Sequence, residues 1–162
     1  MAGSRRRQSV LVERFARVCR VRSARVAIHA PAEGRACTFD DLWLDVGRFH
    51  QALAARMPPG LPIVSLVGNR AAFVPALLAG LEHGASVIPL DSGATAAEAL
   101  RWIDEFGAGA VIAPASARFD RAVPSVHLPH GLALFLFSDV PTGPGNQGAA
   151  VLKVTSGSTG AP

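Results

Sequence analysis

The chain has 162 residues, 49% of them hydrophobic, with a positive mean hydropathy; that excludes a disordered polymer and allows one compact core. Charged residues are only 17%, against about 25% in an ordinary soluble domain, which points to surface that something else covers. The net charge of +4 hides an asymmetry: through Arg25 there are eight arginines and one acid, while the remainder carries eight bases and eleven acids, a +7 arm on a −3 body. Such an arm can meet phosphates or anionic surfaces, but it lacks the interleaved aromatics of a nucleic-acid reader.

No stretch reaches the roughly 18 apolar residues of a membrane span. The triplet Arg5-Arg6-Arg7 is followed by Glu13, Arg14 and Arg17 rather than by an apolar signal core, although an arginine-rich, acid-poor start also fits an organelle transit peptide. Cys19 and Cys37 have no metal or CxxC spacing and read as reduced thiols. The expected setting is the cytoplasm.

Residues 1–8 read as a disordered basic tail, and 9–162 as one domain. Over 9–20, Leu11, Phe15, Val18 and Cys19 recur at helical spacing and predict one buried stripe. "RVAIHAP" (25–31) predicts a strand and "AEGR" (32–35) its turn. Thr38 and Asp41 then form a capping box ahead of a helix whose Leu42, Val46, Phe49, Leu53 and Met57 share one face. "PPG" (58–60) ends it.

"LPIVSLVG" (61–68) is a near-continuous apolar run, the mark of a strand buried on both faces. Asn69 is the expected cap of the next helix; Pro75 inside that helix requires a kink or a late start, and Gly84 ends it. "ASVIPLD" (85–91) is a second buried strand, Thr95 and Glu98 a second capping box, and Leu100, Ile103 and Phe106 the stripe of the helix that Gly107 stops. "AVIAP" (110–114) is a third strand. Residues 115–131 read as a surface excursion, 132–137 as a strand, 141–148 as a loop and 149–155 as a final strand. Strand and helix alternating through short connections predict an α/β fold, a parallel sheet with crossover helices.

The last strand runs into Thr155, Ser156, Gly157, Ser158, Thr159 and Gly160. Glycines let a backbone curl close to a ligand with its N–H groups inward, and hydroxyls add rotatable neutral donors. In open parallel sheets ligands sit at the carboxyl ends of strands. A polyphosphate is the natural guest, although the glycines lie three apart and no lysine follows, so this is not a GxxxxGK[ST] loop.

At these residues the chain resembles the adenylate-forming (AMP-binding) enzymes: acyl-CoA synthetases, acyl-AMP ligases and adenylation domains. "TSGSTGAP" matches their TSGSTGxP signature. "CTFDDLWLDVGRFHQAL" is similar to the family's "TYxEL" helix, "GNRAAFVPALLAGLEHGASVIPLD" to its "NxxEFxxAxLAxxxAGAxxVPLD" segment, and "EALRWIDEFGAGAVIAPAS" to the stretch that follows. The resemblance implies ATP and a carboxylic acid as substrates, release of pyrophosphate, an acyl-adenylate, and transfer to the thiol of coenzyme A or of a carrier-protein phosphopantetheine. It puts the six loop residues on the ATP phosphates, alongside Mg²⁺.

In the family a basic residue and a glycine follow the proline. The adenine, ribose and Mg²⁺ motifs, the acyl pocket and the catalytic lysine of a C-terminal lid lie downstream. Lys153 maps onto neither family lysine. These 162 residues are therefore expected to be the first part of the N-terminal domain, inactive alone, with apolar strand faces left open. A stand-alone phosphate- or nucleotide-binding module and an inactive remnant of a disrupted gene are the alternatives, and a third makes the basic arm the functional element. No catalytic or metal residue is assigned. His127 and His130 are two loop histidines without a third ligand, and His50 and His83 are packing or surface residues. Trp43 and Trp102 read as core-edge residues, and Asp91 as a cap of the next turn.

Overall fold

The computed structural model describes residues 9–91, 93–139 and 149–153. In chain order these form α1 (Val10–Arg22), β1 (Val26–Ala30), β2 (Arg35–Thr38), α2 (Phe39–Ala54), β3 (Ile63–Ser65), α3 (Phe73–Glu82), β4 (Val87–Pro89), α4 (Ala96–Phe106), β5 (Ala110–Pro114), β6 (Val123–Leu128) and β7 (Leu132–Leu136). β1 and β2 make an antiparallel hairpin, and the other strands form one sheet in the order β4-β3-β5-β7-β6. β3 pairs in parallel with both β4 and β5, through the crossover helices the alternation predicts. β7 then runs antiparallel to β5, and β6 antiparallel to β7, so the sheet is α/β in class but mixed in direction.

The continuous apolar runs exist because both faces are covered. Ile63, Val87, Ala110, Ile112 and Leu134 enter one core with Val46, Phe49 and Leu53 of α2 and Ala76 and Ala79 of α3. Their neighbours Val64, Ile88, Val111, Ala113 and Phe135 enter a second core with Ala99 and Ile103 of α4. Of the strands expected to lie open, β3 and β4 are thus buried by this chain's own helices, while Val151, ahead of the loop, remains exposed. Gly80 lets α3 lie directly on β4: a Cβ there would stand 2.6 Å from Cγ2 of Val87.

Both capping boxes form. Thr38 Oγ1 accepts the N–H of Asp41 at 3.1 Å while Asp41 Oδ2 accepts the N–H of Thr38 at 2.8 Å. Thr95 and Glu98 repeat this at 3.2 and 2.7 Å. Met57 stays buried although α2 ends at Ala54, because its N–H still reaches the Leu53 carbonyl at 2.9 Å. Gly107 closes α4 in the left-handed region at φ 64.

Four expectations need correction. In α1, Phe15 and Cys19 of the expected stripe are covered together with Val12, while Leu11 and Val18 are exposed. Asn69 is exposed and caps nothing: α3 starts late, on Ala72, so that Pro75 falls in the first turn, where a missing N–H has no helical partner to lose. The segment after the first turn, 35–38, is itself a strand. The excursion 115–131 contains β6, an edge strand with Pro124 and an irregular register between Val123 and Val126, which hid it from a periodicity search.

Candidate functional site

The parallel strands set the polarity of the sheet, and the loops that follow β3, β4 and β5 gather at its carboxyl end. Thr155, Ser156, Gly157, Ser158, Thr159 and Gly160 lie outside the described residues, as does the tail 1–8. The approach to the loop is described. Val151 bridges Val87 of the edge strand β4 in parallel, the Val87 N–H donates to the Ala150 carbonyl at 3.1 Å, and the Leu152 N–H donates to the Val87 carbonyl at 2.9 Å. The buried Ser86 hydroxyl donates to the Ala149 carbonyl, and Leu152 packs on the core beneath α4. The segment 149–152 therefore points the same way as β3, β4 and β5, toward the ligand-binding end.

On that end, a cleft of about 250 Å³ opens between the ends of β3 and β5 and the start of α4, lined by Leu66, Ala94, Ala96, Pro114, Ser116 and Phe119 among others. Asp91 is exposed, and its backbone carbonyl accepts the Ala94 N–H at 3.0 Å, closing the turn into α4. The α4 N-terminus already holds an anion of its own, the Glu98 carboxylate. Hydrogen bonds from the Thr95 N–H and then the Thr95 hydroxyl hold that carboxyl below its ordinary value. Asp41 is lowered in the same way by the Thr38 hydroxyl and then its N–H.

A second polar group at this end was not legible in the sequence. His130 sits in a one-turn helix between β6 and β7, at φ 64, beside the end of β5, where the Ala115 N–H meets the Gly131 carbonyl at 2.9 Å. The Arg35 guanidinium lies 2.6 Å from His130 Nδ1, and His130 Nε2 lies 2.5 Å from Asp45 Oδ2. A guanidinium only donates, so Nδ1 accepts and the Nε2–H donates to Asp45. Asp45 also accepts from Arg48 at 3.3 Å, Arg70 donates to the His130 carbonyl at 3.0 Å, and Arg35 donates to the buried Cys37 sulfur at 3.2 and 2.8 Å. Glu33 adds a bond from the Ala71 N–H at 2.7 Å. The cluster ties the β1–β2 hairpin, α2 and the β6–β7 turn to the loop after β3.

His130 is thus a structural hub rather than one of two loop histidines, while His127 is exposed. Among the described residues no three His, Cys, Asp or Glu side chains converge as a metal site. His50 and His83 pack edge-on, ring centres 6.1 Å apart, between α2 and α3. Trp43 packs beside Phe15 at 6.3 Å and Trp102 on Phe106 at 5.6 Å, both partly buried at core edges.

A mostly parallel sheet wrapped by crossover helices, with a further segment added in parallel at its edge, defines an α/β protein of the kind that binds ligands at its strand ends. Within that class the chain belongs to the AMP-binding enzyme family, whose model matches residues 15–162. A benzoate CoA ligase from Burkholderia xenovorans LB400 is similar in structure, with a TM-score of 0.58 and 22% identity over 64% of this chain and 21% of that one. The o-succinylbenzoate CoA synthetase of Bacillus subtilis, solved with its acyl-adenylate intermediate, gives 0.53 and 24% over 60% and 25%. A fatty acyl CoA synthetase of Mycobacterium tuberculosis gives 0.56 and 18% over 62% and 20%. The chain spans about a fifth to a quarter of the length of these structures. No curated protein matches it.

Proposed function

We propose that these residues are the first part of the N-terminal domain of an ATP-dependent carboxylic acid ligase acting in the cytoplasm. The substrate carboxylate attacks the α-phosphorus of ATP, the bond to the bridging oxygen breaks, and pyrophosphate leaves an acyl-adenylate. The thiol of coenzyme A or of a carrier-protein phosphopantetheine then takes the acyl group and releases AMP. Thr155, Ser156, Gly157, Ser158, Thr159 and Gly160 hold the departing phosphates through backbone N–H groups and hydroxyls, which stabilises the charge that develops there. Magnesium, when bound, would neutralise part of the charge on those phosphates, held by residues in the part of the family's sequence beyond these. The lid that would complete the site belongs there as well.

The observation that carries this reading is the parallel bridge of Val151 to Val87, directly ahead of the TSGSTGAP sequence in a chain of this family. The test is exchange of labelled pyrophosphate into ATP by the product of the complete reading frame that contains these residues, with a panel of fatty and aryl acids. At least one acid should support exchange well above the acid-free rate. Nucleotide binding with no exchange for any acid, together with hydrolysis of ATP to ADP, would contradict the ligase reading.

A further inference from the structure

Half of the large apolar side chains left exposed among the described residues lie on one element. Val10, Leu11, Val18 and Val21 of α1 are 62%, 51%, 37% and 78% exposed, opposite the face that buries Val12 and Cys19. Their spacing sets Val10, Arg14, Val18 and Val21 along one outward line, with Leu11 beside it. Arg14, Arg17, Arg20 and Arg22 are all exposed, and Glu13 is the only acid of the helix. Asp40, at the start of α2, lies near its far end, where burial first and then this carboxylate raise the Cys19 thiol. Arg5, Arg6 and Arg7 precede α1 in sequence. The family match begins only at residue 15, so it accounts for no residue of the first turn.

We propose that the outward face of α1 is a docking surface for an anionic lipid bilayer, with the helix lying in the headgroup region. The charge decides against burial of this face within the rest of an enzyme: four arginines against one acid would be stranded in a low-dielectric contact. It also decides the sign of the partner. The shape decides between a membrane and an acidic protein. The face is a single convex helix of about 20 Å, with aliphatic side chains spread along it. It offers neither an aromatic anchor nor the pocket that centres a protein interface. Valine and leucine entering the acyl boundary while arginine stems reach back to the phosphates is how an interfacial helix binds. No described helix is long and apolar enough to cross a membrane.

The test is flotation of the 162-residue chain with vesicles of phosphatidylcholine and phosphatidylserine in a two-to-one ratio, against pure phosphatidylcholine vesicles and against soluble polyglutamate. Binding should require phosphatidylserine and weaken with salt. Each arginine near such a surface is worth about fivefold in partitioning, so the double variant R14E/R17E should lose at least about twentyfold. V10S/V21S should also weaken binding, while keeping its salt dependence. Far-UV circular dichroism should be unchanged in both, since all four positions are exposed. No flotation, equal flotation without phosphatidylserine, or variants that alter only polyglutamate binding would overturn the proposal. So would attachment indifferent to V10S/V21S, because a merely electrostatic contact is not this face.

Discussion

The sheet has two halves that are held in different ways. From β4 through β3 to β5, strands are parallel, apolar at every position but Ser65 and bracketed by helices, of which α4 has its cap written in the sequence beside it. From β5 through β7 to β6, and in the β1–β2 hairpin, the ladders are antiparallel, and a polar cluster fastens these elements to the body. The contacts of that cluster join residues far apart in the chain, 95 positions for Arg35 and His130, 85 for His130 and Asp45, and 60 for Arg70 and His130. Local pattern builds the first half; the second depends on long-range partners that no local pattern announces.

The comparison breaks most sharply at Asp45. Its side chain is 6% exposed and receives both His130 and Arg48, so D45A leaves two donors without their acceptor. We expect a loss of about 1–3 kcal/mol in urea denaturation; a loss under about 0.5 kcal/mol would show that the antiparallel half holds by its ladders alone. In the parallel half the corresponding test is G80V. The added atoms meet Val87, a stiff β-branched residue with little room to yield, and should cost about 1–3 kcal/mol. If G80V melts at the wild-type temperature, α3 does not sit on β4 as described.

The caps give a smaller effect with a definite pH sign. T38A should cost about 1 kcal/mol at neutral pH, and T95A should destabilise in the same direction. Asp41 and Glu98 both titrate lower in the folded chain than their ordinary values, through hydrogen bonds with those threonines. A depressed carboxyl contributes stability above its unfolded value and loses it as pH falls through the folded one. The gap between wild type and either variant should therefore be full at neutral pH and narrow below the usual carboxylate range. A gap that widens in acid would contradict the caps.

Much of the parallel half was legible because its signals are local. Thr38 with Asp41, Thr95 with Glu98, the glycines after α3 and α4, and runs such as "LPIVSLVG" each carry their meaning within a few residues. β6 was missed because Pro124 and an irregular register interrupt its alternation, and β2 because four residues before a strong cap carry no period. α1 was found with Phe15 and Cys19 on its covered face, but Leu11 and Val18 fit a helical stripe as well as Val12 does, and only packing chooses between them. The polar cluster gave no signal beyond His130 itself, which by residue type fits a loop equally well. The phosphate loop stands the other way round, strongest in the sequence and outside the described residues.

That loop carries the central claim, and one substitution tests it. In the product of the complete reading frame, S158A removes a single hydroxyl without changing the backbone. If that hydroxyl holds a phosphate oxygen in the transition state, its loss costs about 1.5–3 kcal/mol, or roughly ten- to a hundredfold in carboxylate-dependent pyrophosphate exchange. The account predicts that fall with an unchanged thermal midpoint. Exchange at the wild-type rate in S158A would contradict it.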